Sequence, residues 1–183
     1  MKKDLQKYFI AFISIFFIFF TFNIEAQNQS SDREVKKTNI KYKKARALQA
    51  GTAKKMAKVY EALEVVDDKG EPDPDMETVL SILTELRRDM ANLKSYDRSV
   101  MWNAWAFVYF SDGKYDQAMD AYYNLINEPE VTIGLRVGAL LSLAQLHLVQ
   151  ENYKEGIELI LQWMNEVEKV TAQSYSLLGQ AYY

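Results

Sequence analysis

His147 and Glu151 stand four residues apart, the spacing at which a helical carboxylate can orient an imidazole. Asp67-Asp68 and Asp73-x-Asp75 offer the hard oxygen ligands that calcium takes. Glu155-x-x-Glu158 and Glu166-x-Glu168 are paired carboxylates, the residue type of general acid–base work. Trp102, Trp105, Tyr109, Tyr122, Tyr123 and Trp163 could stack on a sugar or cage a ligand. Each has a plainer reading. An EF-hand loop counted from Asp73 needs Gly at its sixth place and Glu at its twelfth; the sequence has Thr78 and Thr84. Carboxylates at helical spacing usually form a solvated face, and the aromatic residues fall where helices pack. The chain has no Cys and one His. That excludes thiol nucleophiles, Cys-ligated zinc or iron–sulfur centres, a lipid-anchoring Cys and a two-His metal site. There is no Gly-rich phosphate loop and no Gly-x-Ser-x-Gly. The expectation is a protein without catalysis, metal or cofactor.

The 183 residues carry 22 Lys+Arg against 25 Asp+Glu, a formal net charge of −3. That balance gives no argument for nucleic acid. The charge is unevenly spread. Residues 33–58 hold ten Lys/Arg and one acid, Glu34; from Val59 onward nine Lys/Arg face 21 Asp/Glu. A basic leader therefore precedes an acidic body. Ahead of it, residues 1–26 read as a secretory signal. Lys2, Lys3 and Lys7 precede the apolar run 8–22, and Ile24-Glu25-Ala26 offers a small residue before a cut. The apolar run is shorter than the roughly 20 residues a spanning helix needs. Cleavage after Ala26 would deliver a periplasmic protein with no remaining span. An uncleaved anchor is the alternative.

Residues 27–52 read as a polar, basic leader or linker, with any helix in it breaking near Gly51-Thr52. From residue 53 the pattern is helical. Met56, Val59, Tyr60 and Leu63 follow i, i+3, i+4, i+7 and predict a helix over 53–67. Lys69-Gly-Glu-Pro-Asp-Pro must stop it. Further helices are expected over 76–91 (Val79, Leu80, Leu83 and Leu86 inward), 100–110, 115–126, 133–149, 153–167 and 174–183. No segment alternates as a strand does. The fold class is all-α, built of antiparallel helix pairs.

Two of these pairs and the start of a third repeat one another. Trp102-x-x-Trp105-Ala106-x-x-Tyr109 leads into Gly113-Lys-Tyr115-x-x-Ala118-x-x-x-Tyr122. Leu140-x-x-Leu143-Ala144-x-x-His147 leads into Glu151-Asn-Tyr153-x-x-Gly156-x-x-x-Ile160, and Tyr175-x-x-Leu178-Gly179-x-x-Tyr182 begins again. His147 thus stands where Tyr109 and Tyr182 stand, an inward packing position. Ala106, Ala144, Gly179, Ala118 and Gly156 mark the expected close helix approaches, with Gly156 costing roughly 1 kcal/mol of propensity for its place. The pattern resembles the tetratricopeptide repeat (TPR), a helix–turn–helix unit of about 34 residues. It covers about 130 residues, in units of about 53–95, 99–131, 137–170 and a partial 172–183. The resemblance implies a right-handed superhelical solenoid, C-terminally incomplete. Leu177, Leu178 and Tyr182 would then be exposed and the unfinished repeat could self-associate.

Leu-Ala-Gln-Leu-x-x-x-x-Glu-Asn-Tyr-Lys-Glu-Gly, Gln162-Trp163-Met164 and Leu-Leu-Gly-Gln-Ala-Tyr-Tyr are similar to the periplasmic TPR proteins that accompany TonB–ExbB–ExbD energy-transduction systems. That resemblance implies an exported scaffold or adaptor accessory to outer-membrane transport, with TonB, ExbB or ExbD components among its partners. A generic envelope-assembly scaffold and the helical part of a larger cell-wall enzyme are the alternatives. In TPR register the concave groove is lined by Asn103, Phe107, Phe110, Leu141, Gln145 and Leu148. These suit a protein or peptide partner, and none is basic, which argues against a groove that grips a carboxylate.

Overall fold

The computed structural model describes residues 46–182, without the Gln173 side chain. Residues 1–26, read above as a signal, and most of the expected leader 27–52 lie outside the described residues. Within them seven α-helices follow one another: α1 (Ala50–Leu63), α2 (Met76–Arg88), α3 (Ser95–Ser111), α4 (Tyr115–Ile126), α5 (Ile133–Val149), α6 (Tyr153–Glu166) and α7 (Ala172–Ala181). A 3-10 turn, Met90–Asn92, precedes α3. Among the described residues the only β-type pairing is an isolated bridge between Val66 and Pro72. The all-helical reading holds. No described helix is long and apolar enough to cross a membrane.

Helix starts follow local chemistry. The Asp75 carboxylate accepts from Thr78 N–H at 3.0 Å, and Thr171 with Ser174 forms a reciprocal capping box. The Asp75 bonds, the Thr78 side chain foremost, lower its pKa. The expected break at Gly51-Thr52 is absent: both lie inside α1, Gly51 exposed and Thr52 buried. Asp97 accounts for the early start. Its carboxylate, 1% exposed, accepts the Gln49 N–H at 3.0 Å, while the Gln49 side-chain oxygen accepts the Lys94 N–H at 3.1 Å. Arg46 pairs with Glu130. Arg46 and Gln49, just ahead of α1, are thereby tied to the α4–α5 connection and to the start of α3. α3 itself begins five residues before the expected position, and Asp97 and Ser99 are buried within the added turn.

α3 packs on α4 and α5 on α6 as helical hairpins, with α1 on α2 before them and α7 against α6 after them. α3 and α5 are flanked by three helices each, α5 and α3 also touching one another. That explains the broad burial of α3; α5 buries Ala139, Leu140, Leu143, Ala144, Leu146 and His147 and leaves Gly134, Gly138 and Val149 exposed. Leu80 is the exception to the predicted inner face of α2: Val79, Leu83 and Leu86 are buried, and Leu80 is 40% exposed.

The two central hairpins close with the same turn. Lys114 N–H reaches the Tyr109 carbonyl at 2.9 Å and Gly113 N–H the Phe110 carbonyl at 3.0 Å. Asn152 N–H reaches the His147 carbonyl at 2.8 Å and Glu151 N–H the Leu148 carbonyl at 3.1 Å. This is the Schellman arrangement, which needs a left-handed residue. Gly113 supplies it at φ 70°, and Glu151 is held there at φ 61°. A side chain in that region costs about 1 kcal/mol or more, partly offset by glycine's freedom in the unfolded chain. Glu151→Gly is therefore expected to raise the urea midpoint, by about 0.5 kcal/mol in stability. Gly113→Ala is expected to lower it by roughly 1 kcal/mol.

Candidate functional site

The six expected groove residues lie on α3 and α5, the touching first helices of the two central hairpins, and all six are half-buried. Asn103 and Leu141 occupy matching repeat positions, as do Phe107 and Gln145, and Phe110 and Leu148. Their surroundings differ. Phe107, Phe110 and Leu148 pack against the buried core. Phe110 also sits against Tyr115 of its own hairpin, ring centres 5.8 Å apart. Leu148 closes over Gly156 in the α5–α6 hairpin: a Cβ built on Gly156 would lie 2.6 Å from Leu148 Cδ2. Leu141 and Gln145 continue a line, Gly134-x-x-x-Gly138-x-x-Leu141-x-x-x-Gln145, along one face of α5. Gly134 and Gly138 are exposed, and a Cβ on either would meet nothing within 4 Å. Among the described residues nothing packs against them.

Ala106, Ala144, Ala118 and Gly156 are buried, as expected of close approaches. Gly179 is not: it is exposed, with nothing among the described residues within 4 Å of a Cβ built on it, and α7 packs chiefly on α6. Tyr182 is exposed at 66%, whereas Leu177 and Leu178 are half-buried against the core rather than exposed. A groove of about 680 Å³ between α6 and α7 is lined by Tyr153, Ile157, Leu161, Ala181 and Tyr182 together with Lys154 and Glu158.

The electrostatics hold a pattern that sequence reasoning missed. Arg98 binds Glu128 through two bonds of 2.7 and 2.8 Å and donates to the Leu93 carbonyl at 2.7 Å. Arg136 binds Glu166 through two bonds of 2.7 and 3.0 Å and donates to the Ile126 carbonyl at 2.6 Å. In the first pair of helices Lys55 meets Glu85 at 3.0 Å. In all three a cation on the hairpin's first helix reaches a carboxylate near or just beyond the far end of the second. Glu166 is thus no part of a solvated acidic face; Arg136, above all, holds its carboxyl below the usual range. Glu155, Glu158 and Glu168 are exposed.

Trp102, Trp105 and Tyr122 are buried, Tyr109 and Trp163 half-buried, and Tyr123 39% exposed. The first two are roofed from α2: the Arg87 guanidinium lies 5.4 Å from the Trp102 ring centre and 5.7 Å from that of Trp105. Arg87 also donates to the Tyr109 hydroxyl at 3.0 Å, and Tyr109 stacks on Trp105 at 5.0 Å. The cluster is filled by the protein's own cation, so it joins hairpins rather than forming an empty cage. His147, 8% exposed, makes the corresponding contact one hairpin later, its Nε2 3.0 Å from the Tyr123 hydroxyl of α4. Glu151 is in the exposed turn beyond it. The acidic 64–75 connection is folded on itself, Asp67 accepting from the Lys69 and Glu71 N–H groups. Among the described residues no group of three or more His, Asp or Glu is arranged to hold a metal. Neither a protein-family model nor a curated protein matches this chain.

Proposed function

We propose that this chain is an exported helical-repeat adaptor of tetratricopeptide type. It holds a protein segment along the α3–α5 wall in the periplasm and serves a TonB–ExbB–ExbD transport system. The observation that carries the adaptor reading is the wall itself. Two hairpins repeat in register, Tyr115 falling on Tyr153, with the same turn, the same Arg–Glu clasp and the same small-residue crossing. Along the second, Gly134, Gly138, Leu141 and Gln145 form a face on which the glycines meet no neighbour among the described residues. Gly138, in the helix interior, costs roughly 1 kcal/mol against alanine; an approaching partner backbone is a use for it. Leu141 supplies apolar area, and Asn103 and Gln145 supply hydrogen bonds to an extended main chain.

The test separates binding from folding. Leu141→Ala with Gln145→Ala is expected to weaken partner capture by about 30-fold, the equivalent of roughly 2 kcal/mol at an interface centre. The melting temperature should stay nearly unchanged, since neither residue is fully buried. Capture is read by immobilising residues 27–183 and identifying TonB, ExbB or ExbD in envelope extracts. Unchanged capture by the double variant moves the site off this wall, and the basic segment 36–58 becomes the next place to mutate. Recovery of envelope proteins outside that system would support the generic scaffold instead.

A further inference from the structure

We infer that the contact between His147 and Tyr123 makes the seam between the two central hairpins acid-sensitive, so that α5 loosens from α4 as His147 takes up a proton. The inference stands on geometry. His147 is on α5 and Tyr123 on α4, and their 3.0 Å contact, with rings edge-on at 6.1 Å, bridges two hairpins. The other ring nitrogen, Nδ1, is sealed from solvent and has no hydrogen-bond partner among the described residues. In the neutral ring Nε2–H can donate to the phenol oxygen and leave Nδ1 as a bare acceptor. Protonation adds an N–H at Nδ1 with nothing to receive it, and an orphaned buried donor is costly. It also places a charge inside the seam.

The surrounding charges do not cancel that cost. On α5 the other cation, Arg136, is engaged by Glu166. α3 carries Asp97 and Arg98, which are held by the Gln49 N–H and Glu128. On α4, Asp116 and Asp120 are exposed, with Asp120 acting on Tyr123. On α6, Lys154, Glu155 and Glu158 are exposed; Glu155 favours the charged ring, but burial outweighs it. α7 has no charged residue. Burial therefore holds the imidazole below its usual pKa. As pH falls, the unfolded or opened chain takes up the proton first. The seam keeps its full stability above about pH 6.5 and loses it as pH drops through the folded value.

His147 is the chain's one histidine, so its imidazole resonances can be followed without overlap. In residues 27–183, titration by NMR is expected to give a pKa below 6.5. Hydrogen-exchange protection of amides in 122–126 and 144–148 is expected to fall between pH 7.5 and 5.0. The fall is roughly tenfold for each unit by which the folded pKa is lowered, once pH is below it. Protection around Tyr109, the matching position in the preceding hairpin, should hold. His147→Gln, and His147→Tyr as the residue found at position 109, should abolish the pH dependence. A wild-type pKa at or above 6.5, or the same acid loosening in both variants, overturns the inference. The wild-type titration decides even if a variant folds poorly.

Discussion

Arg136→Met is expected to destabilise the folded protein by about 2 kcal/mol. The estimate lies between the roughly 0–1 kcal/mol of exposed ion pairs and the 3–5 kcal/mol for breaking a buried one. The pair is intermediate: the Arg136 and Glu166 side chains are 29% and 22% exposed. Methionine keeps the aliphatic stem but leaves the Ile126 carbonyl without its 2.6 Å donor and Glu166 with only Gln162, at 3.1 Å. The loss should appear as a lower urea midpoint with an unchanged slope. Adding Glu166→Leu should recover part of it, because the stranded carboxylate is then gone. There is a pH signature as well. Arg136 lowers the folded pKa of Glu166, so this stability is complete above about pH 4.5 and drains away as pH falls through the folded value. Arg136→Met should remove that part of the acid sensitivity. A midpoint shift worth less than about 0.5 kcal/mol would place the clasp among ordinary surface pairs.

The helices were legible and the clasps were not. α4 and α5 run over the spans predicted from periodicity, because Gly113, Glu128-Pro129 and Thr132 punctuate them locally. Errors gathered where tertiary contacts decide. α1 starts early because Asp97, far along the chain, receives the Gln49 N–H. Leu80 reads as inward by composition yet faces solvent, since the inner line of α2 is Val79, Leu83 and Leu86. Arg136 and Glu166 resemble any two surface charges: nothing local says that a residue at the start of one helix meets another at the end of the next. The signal available was the repeat. The register that lays Tyr115 on Tyr153 also lays Arg98 on Arg136 and Glu128 on Glu166, and would have exposed the pair. Of the proposed groove, the sequence placed all six residues on α3 and α5, which touch one another. It could not separate Leu141, on the face that continues Gly134 and Gly138, from Leu148, folded over Gly156.

Gly156→Val is expected to cost about 3 kcal/mol, the upper end for forcing volume into a packed crossing. A Cβ at this position would stand 2.6 Å from Leu148 Cδ2, 3.0 Å from its Cγ and 3.3 Å from the Ala144 carbonyl oxygen. Leu148 is half-buried and can yield; the carbonyl belongs to the α5 backbone and cannot move without the helix. The two neighbours can be told apart with alanine. Gly156→Ala in the natural chain gains roughly 1 kcal/mol of helix propensity but must displace Leu148, and a net loss of about 1 kcal/mol is expected. With Leu148→Ala already present, only the approach to the Ala144 carbonyl remains. The same substitution should then become neutral or stabilising. That reversal, measured as a double-mutant cycle on urea midpoints, assigns the cost to Leu148. If Gly156→Ala is equally costly in both backgrounds, the Ala144 carbonyl sets the limit and α5 and α6 meet through their backbones. A free gain in both would mean that Leu148 does not rest on Gly156 in solution. Leu148 would then join Leu141 as a side chain available to a partner.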